Sequence, residues 1–393
     1  MSSPFAATTN AFHLATRLDA VGFSDIVLIR NKVMDLRAKG ANVFQFEGGE
    51  PFMHTPQPIK DAMTRALEEN KTRYAPSSGI AELRAGLAAK LSRDNHIPAR
   101  PEHVIVLNGG MQGLHGAFQS TINPGDEVLV FSPMWTPIKD LVGHCRGVVV
   151  YVPTAEAREN GFAETLARYA TPRTRAVYYN TPQNPSGVVF SRIEAEAVAQ
   201  FVQERDLLVI ADEAYETLVY DEEHVSIASL PGMFERTITC FTYSKTYSMT
   251  GWRLGYAVAG QPWMQGLQKC LLYSTNGVST PTQWAGLAAL STPREYFAEL
   301  REEYRERRDL LVAGLNDLGL PCEMPAGAFY AFPDATRLSA SSQTAADILL
   351  QQAKVATVPG IVFGPHGEGH LRFSFSTSKE TITAGLEAMR RGL

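Results

Sequence analysis

Thr237-Ile238-Thr239-Cys240-Phe241-Thr242-Tyr243-Ser244-Lys245-Thr246-Tyr247-Ser248-Met249-Thr250-Gly251-Trp252-Arg253-Leu254-Gly255-Tyr256-Ala257-Val258-Ala259 is the stretch around which the rest of the chain is organised. It opens on a β-branched, apolar run that reads as a buried strand and closes on a second, Leu254 to Ala259. Between them lies a turn-like segment of hydroxyls with one lysine, one arginine and one glycine. Alone, a lysine in such a turn is a solvated surface residue. Held between two core strands it loses hydration, and lost hydration lowers its pKa towards the neutral amine that attacks carbonyls. The neighbouring segments decide between these readings.

Working outward, the same strand signal recurs. Val104 to Leu107, Glu127 to Phe131, Gly147 to Val152, Ala176 to Tyr179 and Leu207 to Ala211 precede the two runs above, with helical patterns between most of them. Seven strands alternating with helices predict an α/β fold, a mostly parallel seven-stranded sheet covered on both faces to make three layers. After the first strand, Asn108-Gly109-Gly110 leads into a helix from Met111 to Thr121. Free amides and the dipole of such a helix start can hold an anion. The turn lacks G-x-G-x-x-G, which disfavours a dinucleotide site.

The flanks read differently. A mobile terminus precedes a helix from about Ser24 to Lys39, and Phe46-Glu47-Gly48-Gly49-Glu50-Pro51 is a strand end broken by glycines and proline. Helices follow at about Gln57 to Glu69 and Ile80 to Arg93. Beyond the sheet, a charged helix (Glu299 to Asp317) leads to a smaller α+β unit. That unit holds Gly327 to Phe332, a helix near Thr344 to Lys354, a strand-like Val355 to Pro359, and Leu371 to Phe375. The expected organisation is residues 1–55 contributing to a small domain, 56–290 forming the large cofactor-binding domain, and 291–393 forming the small C-terminal domain.

Bulk properties narrow the class. A chain of 393 residues exceeds what one core usually holds. Thirty-six basic against forty-one acidic residues give a formal charge of -5, which argues against nucleic acid or an anionic membrane as partner. Four scattered cysteines without C-x-x-C predict reduced thiols in a cytoplasmic protein. The start lacks a secretory pattern, and no apolar run has membrane-spanning length.

Three segments would end sheet strands with polar side chains, where an open α/β sheet places its ligands. These are Tyr179-Asn180-Thr181-Pro182-Gln183-Asn184-Pro185-Ser186-Gly187, Asp212-Glu213-Ala214-Tyr215 after Val209-Ile210-Ala211, and the lysine stretch. Singly, Asn184 is a turn residue, Asp212 a helix cap and Arg253 a surface charge. Jointly they supply what pyridoxal phosphate requires: a carboxylate for the ring nitrogen, a lysine for the aldehyde, and an arginine with hydroxyls and amides for the phosphate.

On these motifs the chain resembles the class I (fold type I) pyridoxal-phosphate-dependent aminotransferases, and is most similar to the bacterial aspartate and aromatic aminotransferase subgroup. The resemblance runs from about residue 24 to the C-terminus. It is carried by Gly49-Glu50-Pro51, Tyr74-x-x-x-x-Gly79, Asn123-Pro-Gly-Asp-Glu127, Asn184-Pro-Ser-Gly187, Asp212-Glu-x-Tyr215, Ser244-Lys245 with Gly251-x-Arg253, and Arg372-x-Ser374.

The resemblance implies a role for each matching residue. Lys245 corresponds to the Schiff-base lysine that also shuttles the proton, and Asp212 to the partner of the pyridinium nitrogen. Tyr215 and Asn184 match the pair that hydrogen-bonds the phenolate oxygen, and Trp135 the aromatic residue stacked on the ring. Gly110 and Met111 amides, Thr242, Ser244 and Arg253 match the phosphate cradle. Tyr74 matches a tyrosine that reaches the phosphate of the neighbouring subunit, which implies a homodimer with shared sites. Arg372 resembles the clamp for the substrate α-carboxylate, with Gly49 and Asn184 assisting.

Two positions depart from the pattern. Thr242 stands where the family usually has Gly or Ser, and it keeps a hydroxyl. Met111 stands where aspartate-preferring members carry a lysine for the side-chain carboxylate, and Ile26 near the entrance adds apolar surface. The implied activity is ping-pong transfer of an α-amino group from an L-amino acid to a 2-oxo acid, with neutral or aromatic donors rather than aspartate alone. The same scaffold also supports a lyase, cyclase or oxidase acting on a specialised amino acid. A non-catalytic regulatory module is disfavoured because Lys245, Asp212 and Arg253 are all kept.

Overall fold

The computed structural model describes residues 15–19 and 21–393; the terminus expected to be mobile, through residue 14, lies outside the described residues. After strand β1 (Phe44–Gln45), seven strands build the central sheet. They are β2 (Val104–Leu107), β3 (Glu127–Ser132), β4 (Val148–Pro153), β5 (Thr174–Asn180), β6 (Leu208–Asp212), β7 (Thr237–Thr242) and β8 (Gly255–Ala259). Their order is β2-β8-β7-β6-β5-β3-β4, and β8 alone runs antiparallel to its neighbours. The α/β architecture expected from the alternating runs is present.

Strand alternation explains the two-sided burial. Leu208 and Ile210 join Ala176, Tyr178, Ile238 and Cys240 in one apolar layer, whereas Val209 and Ala211 join Val177 and Tyr179 in the other. With both faces covered, the sheet leaves only its strand ends for polar chemistry. The C-terminal ends of β2, β3, β5, β6 and β7 share one edge. Because β8 is antiparallel, its start lies at that same edge, and this brings Arg253, two residues before β8, to the ends of the parallel strands.

A separate apolar cluster holds the C-terminal part of the chain. The helix Arg294–Asp317 buries Leu300, Tyr304, Leu311, Val312 and Leu315 against Phe329, Phe373 and Phe375 and against Ile382, Leu386 and Met389 of the helix Lys379–Gly392. Strands β9 (Tyr330–Ala331), β11 (Val358–Pro359) and β12 (Leu371–Ser374) form a three-stranded antiparallel sheet in the order β11-β12-β9. β10 (Val355–Ala356) pairs in parallel with β1.

Local differences from the expectations have physical causes. The strand-like Val355 to Pro359 is split at Thr357, its halves pairing with β1 and β12 respectively. The helix expected near Thr344 to Lys354 runs from Ser342 to Ile348, widens into a π turn over Leu349–Ala353 and stops at Lys354, whose φ is 57°. In the segment Gly327 to Phe332 only Tyr330–Ala331 forms a strand; Ala328 sits at φ 58°, a left-handed conformation no ladder accepts. Helix α1 (Asp25–Ala38) buries only Val33, leaving Val27, Leu28 and Met34 exposed despite their near-helical spacing. No helix among the described residues is long and apolar enough to cross a membrane.

Candidate active site

A cavity of about 450 Å³ opens at the strand-end edge. It is lined by Gly49, Gly110, Met111, Trp135, Asn184, Asp212, Tyr215, Thr242, Ser244, Lys245, Arg253 and Arg372. Every site residue expected from the sequence is therefore gathered in one place except Tyr74. Tyr74 does not line it and is 93% exposed. Ile26 lines the mouth.

The anionic end is built on backbone. Helix α4 (Gly110–Thr121) starts with no side-chain cap, so its first amides are unclaimed by its N-cap, Gly109. Gly109 sits at φ +83°, and a Cβ there would fall 2.7 Å from Arg253 Nη2. Only glycine lets the guanidinium lie against this turn. Arg253 donates to the carbonyl oxygen of Thr250 (2.8 Å) and, among the described residues, has no carboxylate partner. An uncapped helix start, an acid-free arginine and the Thr242 and Ser244 hydroxyls together fit a phosphate.

In the middle of the cavity, Asp212 ends β6. Its Oδ2 accepts from Tyr178 OH (2.8 Å) and its Oδ1 from the Ala214 amide (3.2 Å). Burial pushes its pKa up to about 6, against the pull of the Tyr178 hydrogen bond. A cationic N–H would relieve a carboxylate held this way. Lys245 lies in the short helix Tyr243–Thr246, and its Nζ donates to the carbonyl oxygen of Gly49. Burial brings its pKa down to about 8, with Arg372 and Arg253 adding to the effect and Glu50 opposing it. The neutral amine anticipated from its place between strands is thus accessible near physiological pH.

At the other end, Arg372 projects from β12 and is only 2% exposed. Its Nη1 donates to Asn184 Oδ1 (3.0 Å) and its Nη2 to the carbonyl oxygen of Glu47 (2.8 Å). The guanidinium lies over the Tyr330 and Phe363 rings, 4.3 and 5.0 Å from their centroids. No carboxylate pairs with it among the described residues, and its Nε has no partner. A buried cation without a counter-charge is costly, so this one fits a bound carboxylate.

Several contributors were not foreseen. Tyr330 shares a 2.9 Å hydrogen bond with Tyr215 OH, and burial together with this neighbour holds the Tyr215 pKa well above the usual phenol value. Tyr330 Oη also lies 3.0 Å from where a Cβ on Gly49 would be. Asn180 Oδ1 accepts the Asn184 amide (3.2 Å). Tyr178 and Tyr330 sit inside strand patterns, and nothing in their spacing separates them from core tyrosines.

Residues 33–389 match the family described as aminotransferase class I and II. The chain is 40% identical over 388 residues to the aspartate/prephenate aminotransferase of Thermus thermophilus, covering 97% of this chain and 98% of that protein. It is 38% identical over 385 residues to aromatic-amino-acid aminotransferase 2 of Thermococcus litoralis, covering 97% and 98%. The solved structure of aspartate aminotransferase from Thermus thermophilus with maleate superimposes with a TM-score of 0.92 at 40% identity, covering 97% of this chain and all of that one.

The fold and site are those of a fold type I transferase. The chain belongs to the class I and II aminotransferase family, within the aspartate/aromatic subgroup of class I, and is an enzyme of the pyridoxal-phosphate type.

Proposed function

We propose that this enzyme moves the α-amino group of an L-amino acid to a 2-oxo acid in two half-reactions through one pocket, and that it prefers neutral or aromatic donors to aspartate. The observation that carries this reading is the unpaired, buried Arg372 in the same cavity as Lys245 and Asp212. One α-carboxylate clamp serves donor and acceptor alike, so the oxo acid product leaves before the second oxo acid enters. The relatives named above are all aminotransferases, which favours transfer over elimination, cyclisation or oxidation.

Pyridoxal phosphate would be held by the Gly110 and Met111 amides, Thr242, Ser244 and Arg253 at its phosphate, by Asp212 at its ring nitrogen, and by Trp135 against its ring. When bound it supplies a carbonyl that takes up the amino group and a ring that draws electrons from the α-carbon. The chain's own residues do the rest. Asp212 keeps a proton on the nitrogen facing it. Tyr215 OH and the Asn184 amide group donate to the phenolate oxygen. Lys245 Nζ, neutral above about pH 8, would take the α-proton and deliver it two atoms away, to the far side of the amino nitrogen. Arg372 and Asn184 orient the carboxylate so that the α-proton faces Lys245.

The donor preference rests on charge. Among the described residues lining the cavity the cations are Lys245, Arg253 and Arg372, each with a role already given. Met111, 37% exposed, and Ile26 offer apolar surface instead of a second carboxylate site. A screen of donors against 2-oxoglutarate, pyruvate and oxaloacetate tests this. Phenylalanine should exceed aspartate in kcat/KM by about tenfold or more, and Met111→Lys should move the ratio towards aspartate by a similar factor, the effect of one partly exposed charge pair. A wild-type preference for aspartate would refute the donor assignment.

The lysine carries a pH prediction. Only the neutral amine reacts with a carbonyl, and its fraction rises with pH through the group's pKa. The rate at which the apoprotein takes up pyridoxal phosphate should climb with a midpoint near pH 8 instead of near 10.5. Stopped-flow absorbance measures it.

Tyr74, exposed and aromatic outside this chain's own cavity, fits a residue given to a partner's phosphate, so we assign a homodimer with shared sites. The four free cysteines fit a cytoplasmic enzyme.

A further inference from the structure

Behind Asp212 lies a polar cluster that the chemistry above does not use. Strand alternation sends Asp212 and Glu213 to opposite sides. Asp212 shares the Tyr178 side, while Glu213 faces the loop carrying Val225 and Ile227, which pack with Val209 and Ala211. Glu213 is 0% exposed, and among the described residues no lysine or arginine pairs with it. Instead Ser226 Oγ lies 2.6 Å from both carboxylate oxygens and His224 Nε2 2.9 Å from one. His224 Nδ1 is buried without a partner, so Nε2 is the nitrogen that carries the proton given to Glu213.

The cluster grips a short piece of chain from which three cavity-lining residues project. The Glu213 amide donates to the Cys240 carbonyl (3.0 Å), Asn180 Nδ2 donates to the Asp212 carbonyl (2.9 Å), and the Ala214 amide donates to Asp212 Oδ1 (3.2 Å). Asp212, Ala214 and Tyr215 all line the cavity. Rotation of the 213 backbone would therefore turn the Asp212 carboxylate and the Tyr215 hydroxyl together. A leucine would fill this apolar layer without needing hydrogen bonds; a carboxylate is held only where its donors are fixed, so it specifies one backbone orientation. Its negative charge also adds to burial in strengthening Asp212's hold on a proton.

We propose that Glu213, gripped by Ser226 and His224, is a positioning residue that keeps Asp212 and Tyr215 aimed at the cofactor ring. This rests on the reading of Asp212 as the ring-nitrogen partner.

The test is titration of the apoprotein with pyridoxal phosphate. Glu213→Gln keeps the volume but turns an amide NH2 towards two donors. Its Kd for the cofactor should rise about 10- to 100-fold, the range of a lost charged hydrogen bond. The visible circular dichroism of the bound cofactor should weaken, and kcat should fall more than KM changes. Ser226→Ala should shift Kd in the same direction by a smaller factor. A Kd and dichroism equal to wild type in Glu213→Gln, whatever its melting temperature, would overturn the proposal. If that variant does not fold, a wild-type Kd in Ser226→Ala overturns it and a raised one supports it. Asp212→Asn in parallel separates the two readings. If it leaves Kd unchanged, the assignment of Asp212 fails and this proposal with it. If it weakens binding while Glu213→Gln does not, only the positioning role falls.

Discussion

Lys245→Ala is expected to lose turnover by about 10⁴-fold, the upper end of what a positioned acid–base group supplies, while the protein stays folded. The side chain lies in the cavity wall and, among the described residues, its amine has no carboxylate partner and donates to the Gly49 carbonyl, so truncation leaves no paired charge stranded. Burial is what makes the group reactive: a lysine with a pKa of about 8 has a substantial neutral fraction at pH 7.5, whereas one at 10.5 has almost none. The purified variant should also lack the visible absorption of a lysine-linked cofactor. Turnover with 2-oxoglutarate as acceptor, a spectrum and a thermal melt check all three. Full activity in the alanine variant would sink the assignment of Lys245 and the mechanism built on it.

Arg372→Leu is expected to lower kcat/KM by about 10²- to 10³-fold for donor and acceptor alike, because a fully buried charged hydrogen-bond partner is lost from both half-reactions. Arg372→Lys should recover little of this. An ammonium cannot reproduce the fork that now spans Asn184 and the Glu47 carbonyl, nor lie flat over Tyr330. The stability expectation runs the other way. Arg372 is buried with no acid partner among the described residues, and burial holds its proton affinity below the usual guanidinium value. Replacing such a charge by a hydrophobe is neutral or stabilising. Leucine should therefore leave the melting temperature of the cofactor-free protein unchanged or higher while removing activity. A variant that melts early and keeps its KM values would contradict the clamp.

The two results address different parts of the fold. Asp212 ends β6 and Lys245 lies in the short helix that follows β7, the parallel neighbour of β6, and their chemistry follows from lying at the ends of a sheet buried on both faces. Arg372 stands on β12, in a sheet belonging to the other apolar cluster, and reaches the same cavity across 188 residues of chain to meet Asn184.

How much of this was legible beforehand follows from the range of each signal. Hydrophobic runs are local, and the seven strands from Val104 to Ala259 could be read because each is an apolar or β-branched run; most bury nearly every residue, while β4 at the sheet edge buries Val152 alone. The motifs around Asn184, Asp212 and Lys245 were legible for the same reason: each polar residue closes an apolar run, and strand ends are where an α/β sheet holds ligands. Short elements escaped. β1, β9, β10 and β11 have two residues each, too few to show a period, and exist because neighbouring strands complete them. Helix α1 shows the converse, a near-helical spacing of apolar residues that the fold leaves mostly uncovered.

What the sequence determined by itself was the strand–helix alternation, the place of Lys245 between two core strands, and the residue types needed to hold pyridoxal phosphate. What only the tertiary structure decided was how charge is shared out. It set the Asp212 pKa to about 6 through burial, drew Tyr330 onto Tyr215, left Arg372 without a carboxylate partner among the described residues, and placed Glu213 behind Asp212 with Ser226 and His224 as donors. Those properties depend on desolvation and on partners 11 to 325 positions away in the chain. A run of residues records its own period, but the loss of water around a side chain depends on what the rest of the fold packs against it.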